Sequence, residues 1–146
     1  ASIQDFEIMT IYNIRYVLML EYVSESDRQE YVKNQIKYIE NYEQHIEYFI
    51  EDYGEIFPCL ISDKNARAIT SEVNKDLSPF KLMNILFCLS IQAQARFLYF
   101  SLEVLPKELQ ERYKEKLSFC KPRETRIEES YYWKYLFKND LFMHEL

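Results

Sequence analysis

Residues 78–105 constrain the fold most, because they have the signals of one long helix that is apolar on every side. Ser78 can cap a helix, Pro79 fits the first helical position, and Pro106 cannot continue a helix. The apolar residues between these signals go all the way round: Leu82, Met83, Ile85, Leu86, Phe87, Leu89, Ile91, Ala93, Ala95, Phe97, Leu98, Phe100 and Leu102. Such a helix is buried, so we predict that the other elements pack around it.

Polar side chains interrupt this apolar helix: Asn84, Ser90, Gln92, Gln94 and Arg96. Buried polar groups need partners, and a buried guanidinium needs an anion or a carboxylate. Arg96 therefore predicts a ligand carboxylate or a small anion such as chloride at its side chain. Two alternatives stay open, in which Arg96 pairs with a glutamate across a helix seam or extends its charged end to water.

The composition favours a single all-α domain over residues 1–146, with six to seven helices around the buried central one. One glycine among 146 residues argues against hairpins and phosphate-binding loops. The predicted helices span residues 3–23, 27–53, 63–74, 78–105, 106–117 and 127–146. Ser26 and Gln29 have capping-box spacing at the start of the second helix. Gly54 is expected to end that helix with a positive φ.

Charge, cysteine content and the longest uncharged run make several classes of protein unfavourable predictions. The net charge of −6 disfavours nucleic-acid binding, which needs clustered cations. Cys59, Cys88 and Cys120 are odd in number and contain no CxxC pair, so reduced thiols in a cytoplasmic protein are expected. The longest uncharged run, residues 82–95, is shorter than the roughly 20 residues of a membrane span, and no signal peptide opens the chain.

The sequence gives little support for catalysis, a metal or a haem. The residues three before His45 and His144 are Tyr42 and Leu141, so the Glu-x-x-His motif of di-iron bundles is absent. One glycine cannot form a GxSxG elbow, and a thiol as apolar in its surroundings as Cys88 is usually inert. We therefore expect a protein that is not an enzyme and has no metal or cofactor.

A ligand-binding cavity is the functional prediction that remains. The walls would come from two helices, with polar groups converging at one end, an arrangement that suits an amphipathic molecule such as a fatty acid. The candidate ligand-binding residues are Tyr38, Tyr42, His45, Phe49, Phe87, Ser90, Ile91, Gln94, Arg96 and Phe97. The alternative is that these residues only form a core.

Three stretches give the chain a family resemblance: YVKNQIKYIENYEQHIEYFIEDYGEIFP, KLMNILFCLSIQAQARFLYF and EESYYWKYLFKNDLF. With the overall size and order of helices, they resemble the sensor domains of Bacillus sporulation histidine kinases and stand-alone copies of those domains. The resemblance implies a globin-like fold without haem, a fatty acid in the cavity, a halide ion nearby and a homodimer. It also implies that the chain inhibits sporulation by competing with the matching kinase for its signal.

A second resemblance gives an alternative function. DFEIMTIYNIRYVLML and QARFLYFSLEVL are similar to the paired helices of the dimerisation domain of PadR-type transcription regulators. That likeness leaves the residues after Pro106 unexplained. The aromatic residues Tyr131, Tyr132 and Trp133 suggest a dimer contact, since such residues anchor interfaces; packing over the chain's own core is the alternative.

Overall fold

The chain is all-α, as the sequence predicts. A computed structural model describes residues 11–71, 78–123 and 127–138, which form eight α-helices, two short 3-10 helices and no strand. The α-helices are α1 (Ile11–Leu18), α2 (Glu25–Ile36), α3 (Tyr42–Tyr53), α4 (Phe57–Leu60), α5 (Asp63–Ile69), α6 (Pro79–Ser101), α7 (Lys107–Tyr113) and α8 (Ile127–Lys138). The 3-10 helices are Leu20–Tyr22 and Ser118–Cys120.

Helix α6 is the buried central element. The Ser78 hydroxyl accepts a hydrogen bond from the Lys81 N–H at 3.2 Å, and Pro79 follows at the first position. Every residue from Cys88 to Leu98 is buried. Helices α1, α2, α5 and α8 and the second 3-10 helix all contact α6. The prediction of a central helix around which the chain packs is therefore confirmed, although α6 ends at Ser101, before the predicted end at residue 105.

The second predicted helix is two helices in the structure, because the chain turns between α2 and α3. Asn41 lies in this turn with φ 50° and ψ 57°, a left-handed conformation that asparagine tolerates better than most residues. The prediction of one helix over residues 27–53 is therefore wrong. The cap of α2 also differs, since Ser24 rather than Ser26 accepts the Asp27 N–H, at 3.1 Å.

Gly54 lies at the end of α3 for a different reason from the predicted one. Its φ is −56° and its ψ is −38°, so the expected positive φ is wrong. A Cβ atom at this position would lie 2.6 Å from the carbonyl oxygen of Ile50, closer than real Cβ contacts allow. The lack of a side chain, not conformational freedom, is what the chain requires here.

Three other predicted helices extend beyond the residues that the structure describes. The predicted helices over residues 3–23, 63–74 and 127–146 correspond to α1, α5 and α8, and their parts at 3–10, 72–74 and 139–146 lie outside the described residues. The short helix α4 lies between the second and third predicted helices, where the sequence predicts no helix. Arg28 and Glu103 form a two-bond ion pair of 3.0 and 2.7 Å that joins α2 to the segment after α6.

Replacing Gly54 with alanine tests the contact with Ile50. In an ordinary helical site this substitution stabilises a protein by up to about 1 kcal/mol. Here the added methyl group meets a backbone oxygen, so we expect a loss of about 1–3 kcal/mol in the free energy of unfolding, measured by urea titration. The sign of the change is the test, and a Gly54→Ala variant as stable as the parent chain contradicts the close approach.

Candidate functional site

The polar residues of α6 lie on two different faces. The Gln94 side-chain amide donates to the Ser90 hydroxyl at 3.2 Å, and Phe97 and Ser101 follow these residues at helical spacing. Gln92 is two positions from Ser90 and therefore about 200° away from it round the helix. The structure thus separates a face with Ser90 and Gln94 from a face with Gln92 and Arg96.

Arg96 is buried and paired with two carboxylates. Its residue is 4% exposed. Its Nη2 atom forms an ion pair with Glu129 of α8, and its Nε atom lies 3.4 Å from Oε1 of Glu21, in the first 3-10 helix. The Glu129 side chain is 7% exposed and that of Glu21 is 23% exposed. Of the possibilities open at the sequence level, pairing with a glutamate across a helix seam is the one observed.

A small cavity lies beside Arg96. Its volume is about 20 Å³, which suits about one water molecule. Its walls are Phe57, Ile61, Gln92, Ala95, Arg96, Cys120, Lys121, Pro122 and Arg123, and we call it the Arg96 cavity. Gln92 is 3% exposed, and its Nε2 atom donates no hydrogen bond to any residue that the structure describes. Arg123 donates to the carbonyl oxygen of Ile61 at 3.2 Å.

Helix α3 presents Tyr42, His45 and Phe49 to the core at helical spacing. The ring of Tyr42 lies 6.3 Å from that of Phe97 and 6.0 Å from that of His45, between ring centres. Burial raises the pKa of Tyr42, an effect that the neighbouring side chain of Ser101 partly offsets. Burial lowers the pKa of His45 to about 4, so its imidazole is neutral at pH 7.

A row of five aromatic side chains leads from the Arg96 cavity to the protein surface. We call it the aromatic row; its members, in order, are Phe57, Phe119, Phe49, Tyr53 and Phe87. The distances between successive ring centres are 5.5, 6.1, 5.0 and 6.4 Å. The first member lines the cavity, and the last member is 47% exposed. The row is therefore a continuous apolar path from a cationic site to solvent.

The structure brings some of the predicted site residues together and leaves others apart. Tyr38 is 69% exposed in the turn after α2, away from the buried residues. Tyr42, His45, Phe49 and Phe97 come together between α3 and α6, whereas Ser90, Gln94 and Ile91 are buried along α6. Phe49 and Phe87 belong to the aromatic row, which links them to Arg96.

Sequence reasoning missed some of the residues around Arg96. Gln92 is among the polar residues that the sequence predicts in the buried helix, but it is not among the candidate ligand-binding residues; its spacing of four from Arg96, which puts both on one face, is the signal that could have added it. Glu129 and Phe119 gave no such signal, since a glutamate in a charged helix and a phenylalanine after a charged helix are both common. Only the packing of distant segments brings them to α6.

The residues Tyr131, Tyr132 and Trp133 pack on their own chain. Tyr132 is fully buried, and the Tyr131 hydroxyl accepts a hydrogen bond from Arg67 Nε at 3.1 Å. Arg15 lies over the Trp133 ring at 5.8 Å from its centre. These contacts agree with the alternative in which the three residues pack over the chain's own core. The homodimer stays a prediction.

Within residues 11–71, 78–123 and 127–138, no group of three or more His, Cys, Asp or Glu side chains is placed to hold a metal ion. None of the helices in these same ranges combines the length and the apolar character needed to cross a membrane.

The lowered pKa of His45 predicts a stability that depends on pH. In the unfolded chain the imidazole takes up a proton near pH 6.5, whereas in the folded chain it does so near pH 4. Its contribution to stability is therefore complete above pH 6.5 and is lost as the pH falls towards 4. We expect this residue to add a slope of at most about 1.4 kcal/mol per pH unit in that range. Urea titrations from pH 7 to 4.5 measure it.

The matched control is His45→Phe, which keeps an aromatic ring and cannot take up a proton. The difference in unfolding free energy between the two proteins isolates His45 from carboxylates that titrate in the same range. Parallel pH profiles for the variant and the parent chain would contradict the assignment.

No protein-family model, curated protein or solved structure matches this chain. Because one fold serves many functions, the function of the chain has to be inferred from the chemistry of the site.

Proposed function

We propose that the chain is a non-enzymatic sensor domain that binds an amphipathic carboxylate, such as a fatty acid. The carboxylate head binds in the Arg96 cavity, and the aliphatic chain lies along the aromatic row. The observation that carries the proposal is the position of a buried guanidinium at the inner end of a continuous apolar path. The resemblance to sporulation sensor domains points to the same class of ligand.

The polar end of the proposed site suits an anion. Arg96, Arg123 and Gln92 all border one small cavity. Guanidinium and amide N–H groups donate to both oxygens of a carboxylate, and they would equally hold a halide ion, as the family resemblance suggests. Lys121, another cation, borders the same cavity.

The apolar end of the proposed site suits an aliphatic chain. Burial of each methylene group contributes about 0.8 kcal/mol, so a chain of several carbons gains much of its affinity from the aromatic row. The Arg96 cavity, at about 20 Å³, is smaller than such a chain. Binding therefore requires side chains along the row to change their positions.

The titratable groups near the site support binding rather than catalysis. Burial raises the pKa of Cys120, which borders the Arg96 cavity, so its thiol is protonated at pH 7. Burial also raises the pKa of Cys88, against weaker opposing effects of Tyr132 and Asn65. A protonated, buried thiol is a poor nucleophile, and the neutral His45 has an unusually low affinity for protons.

The PadR-type alternative uses α1 and α6 as helices that pair between two subunits. These two helices pack on each other within one chain. Their mutual packing favours the sensor over the dimerisation module.

The biological role in this proposal follows the resemblance. The chain would inhibit sporulation by taking up the signal molecule of a sensor histidine kinase. We expect its overproduction to lower spore counts of a Bacillus strain that has such a kinase. A variant that has lost ligand affinity should lower them less, and equal inhibition by both proteins would argue against competition for a ligand.

A chain-length series tests the aromatic row. Hexanoate, octanoate and decanoate share one head group, so their affinities differ only through the buried aliphatic chain. We expect each two-carbon step to tighten binding about tenfold, measured by isothermal titration calorimetry. In Phe119→Trp the larger ring takes up space along the aromatic row that the aliphatic chain would otherwise occupy. The gain in affinity from octanoate to decanoate should then fall below about threefold.

Phe80→Trp is the matched control, because Phe80 is 77% exposed on α6 and is not part of the row. It should leave the whole series unchanged. Affinities that do not depend on chain length in the parent protein would contradict the proposed position of the aliphatic chain. Native mass spectrometry of the purified protein should in addition release an aliphatic carboxylate.

A further inference from the structure

Gln92 brings a buried neutral amide to the wall of the Arg96 cavity. The residue is 3% exposed, and its Nε2 atom has no acceptor among the described residues. A buried donor without a partner is unfavourable, because it has lost its hydrogen bonds to water and gained none in return. The described part of the chain therefore leaves one polar group of the site unsatisfied. The following inference rests on the proposed function and concerns the same site.

The charge of Arg96 is already shared between two carboxylates. Glu129 pairs with its Nη2 atom, and Glu21 lies 3.4 Å from its Nε atom. Neither glutamate lines the Arg96 cavity, so both can stay in place when the head of a ligand enters it. A ligand carboxylate therefore needs a further donor in the cavity wall, beside a guanidinium whose charge is balanced.

Gln92 fits this requirement better than the other polar groups of the wall. Arg123 already donates to the carbonyl oxygen of Ile61, and Lys121 is exposed to solvent. Gln92 precedes Arg96 by four residues and lies on the same face of α6. The torsion that turns a glutamine amide is soft, and no hydrogen bond from Nε2 opposes its rotation. The amide can therefore turn its N–H groups towards a carboxylate in the cavity.

We infer that Gln92 is the specificity-determining residue for the carboxylate head, and that its buried amide is satisfied by the ligand instead of by the chain. Gln94 shows the contrast. It is also 3% exposed, but its amide donates to Ser90 at 3.2 Å, on the opposite side of α6. One glutamine completes a hydrogen bond within the chain, and the other provides a donor for a ligand. A site built to form a hydrogen bond selects ligands that complete it.

The variant Gln92→Met tests this role, because methionine keeps the length of the side chain and removes the amide. We expect the Kd values of hexanoate, octanoate and decanoate each to rise about tenfold, measured by isothermal titration calorimetry. The gain for each two-carbon step should stay the same, since Gln92 contacts only the head. General damage to the apolar part of the site would instead reduce that gain.

Gln94→Met is the matched control, because it makes the same change at an equally buried position outside the cavity. It should leave all three affinities unchanged. If Gln92→Met binds decanoate as tightly as the parent chain does, or if Gln94→Met weakens binding equally, the inference is overturned.

The stability of the two variants without ligand gives a second test. Gln94→Met should lower the urea midpoint of unfolding, because it removes the hydrogen bond to Ser90. Gln92→Met should leave the midpoint unchanged or raise it, because its amide has no acceptor to lose. A midpoint for Gln92→Met below that of the parent chain would show that the amide has a partner within the protein, and would overturn the inference.

Nuclear magnetic resonance of the parent protein tests the contact without any substitution in the measured sample. The side-chain amide signals of a ¹⁵N-labelled protein are assigned from the two variants, each of which lacks one of them. Saturating decanoate should move an amide proton of Gln92 downfield, as expected for a donor to a carboxylate. The signals of Gln94 provide the reference and should not move. Unchanged Gln92 signals in the decanoate complex contradict the inference.

The outcomes separate the two proposals. If the parent chain does not bind decanoate, the proposed function and this inference both fail. If it binds decanoate with the expected dependence on chain length but Gln92→Met binds it equally well, only this inference fails. Should Gln92→Met not fold, the amide signals of the parent protein still decide the role of Gln92.

Discussion

The positions of several other segments depend on the burial of one guanidinium, that of Arg96, in the middle of an apolar helix. Arg96 is 4% exposed, and an unpaired charge in such a position would not be tolerated. Glu21 and Glu129 approach it from opposite parts of the chain. Removal of one partner from a buried ion pair typically costs about 3–5 kcal/mol, a large part of the stability of a domain of this size. The charge of Arg96 therefore fixes where the two flanking segments can lie.

This constraint distinguishes Arg96 from the cations on the surface. Arg112 pairs with Glu43 and Glu108, but its side chain is 44% exposed, and exposed pairs contribute about 1 kcal/mol or less. Apolar residues of suitable volume could replace a buried ion pair with little loss of stability. Stability alone therefore does not require a charged pair at this buried position.

The surroundings of Arg96 combine a spare donor with an apolar path. Gln92 supplies an amide nitrogen that no described residue accepts, and the aromatic row begins at Phe57, in the wall of the same cavity. Most core polar groups are fully satisfied, as the Ser101 hydroxyl is by the carbonyl oxygen of Leu98 at 2.6 Å. Gln92 is therefore a buried donor, without an acceptor among the described residues, that lies close to a paired charge.

The sequence by itself determined the all-α class and the central helix, because both follow from local signals. Ser78, Pro79 and the apolar run after them specify the start and the burial of α6 whatever the rest of the chain does. The turn at Asn41 was missed because apolar residues at helical spacing continue across it, from Ile36 and Ile39 to Ile46, and only packing fixes the left-handed backbone of Asn41. The partners of Arg96 and the order of the aromatic row were decided by tertiary structure alone. Glu129 is 33 positions from Arg96 in the sequence, and no periodic pattern in one helix specifies which residue of another helix will face it.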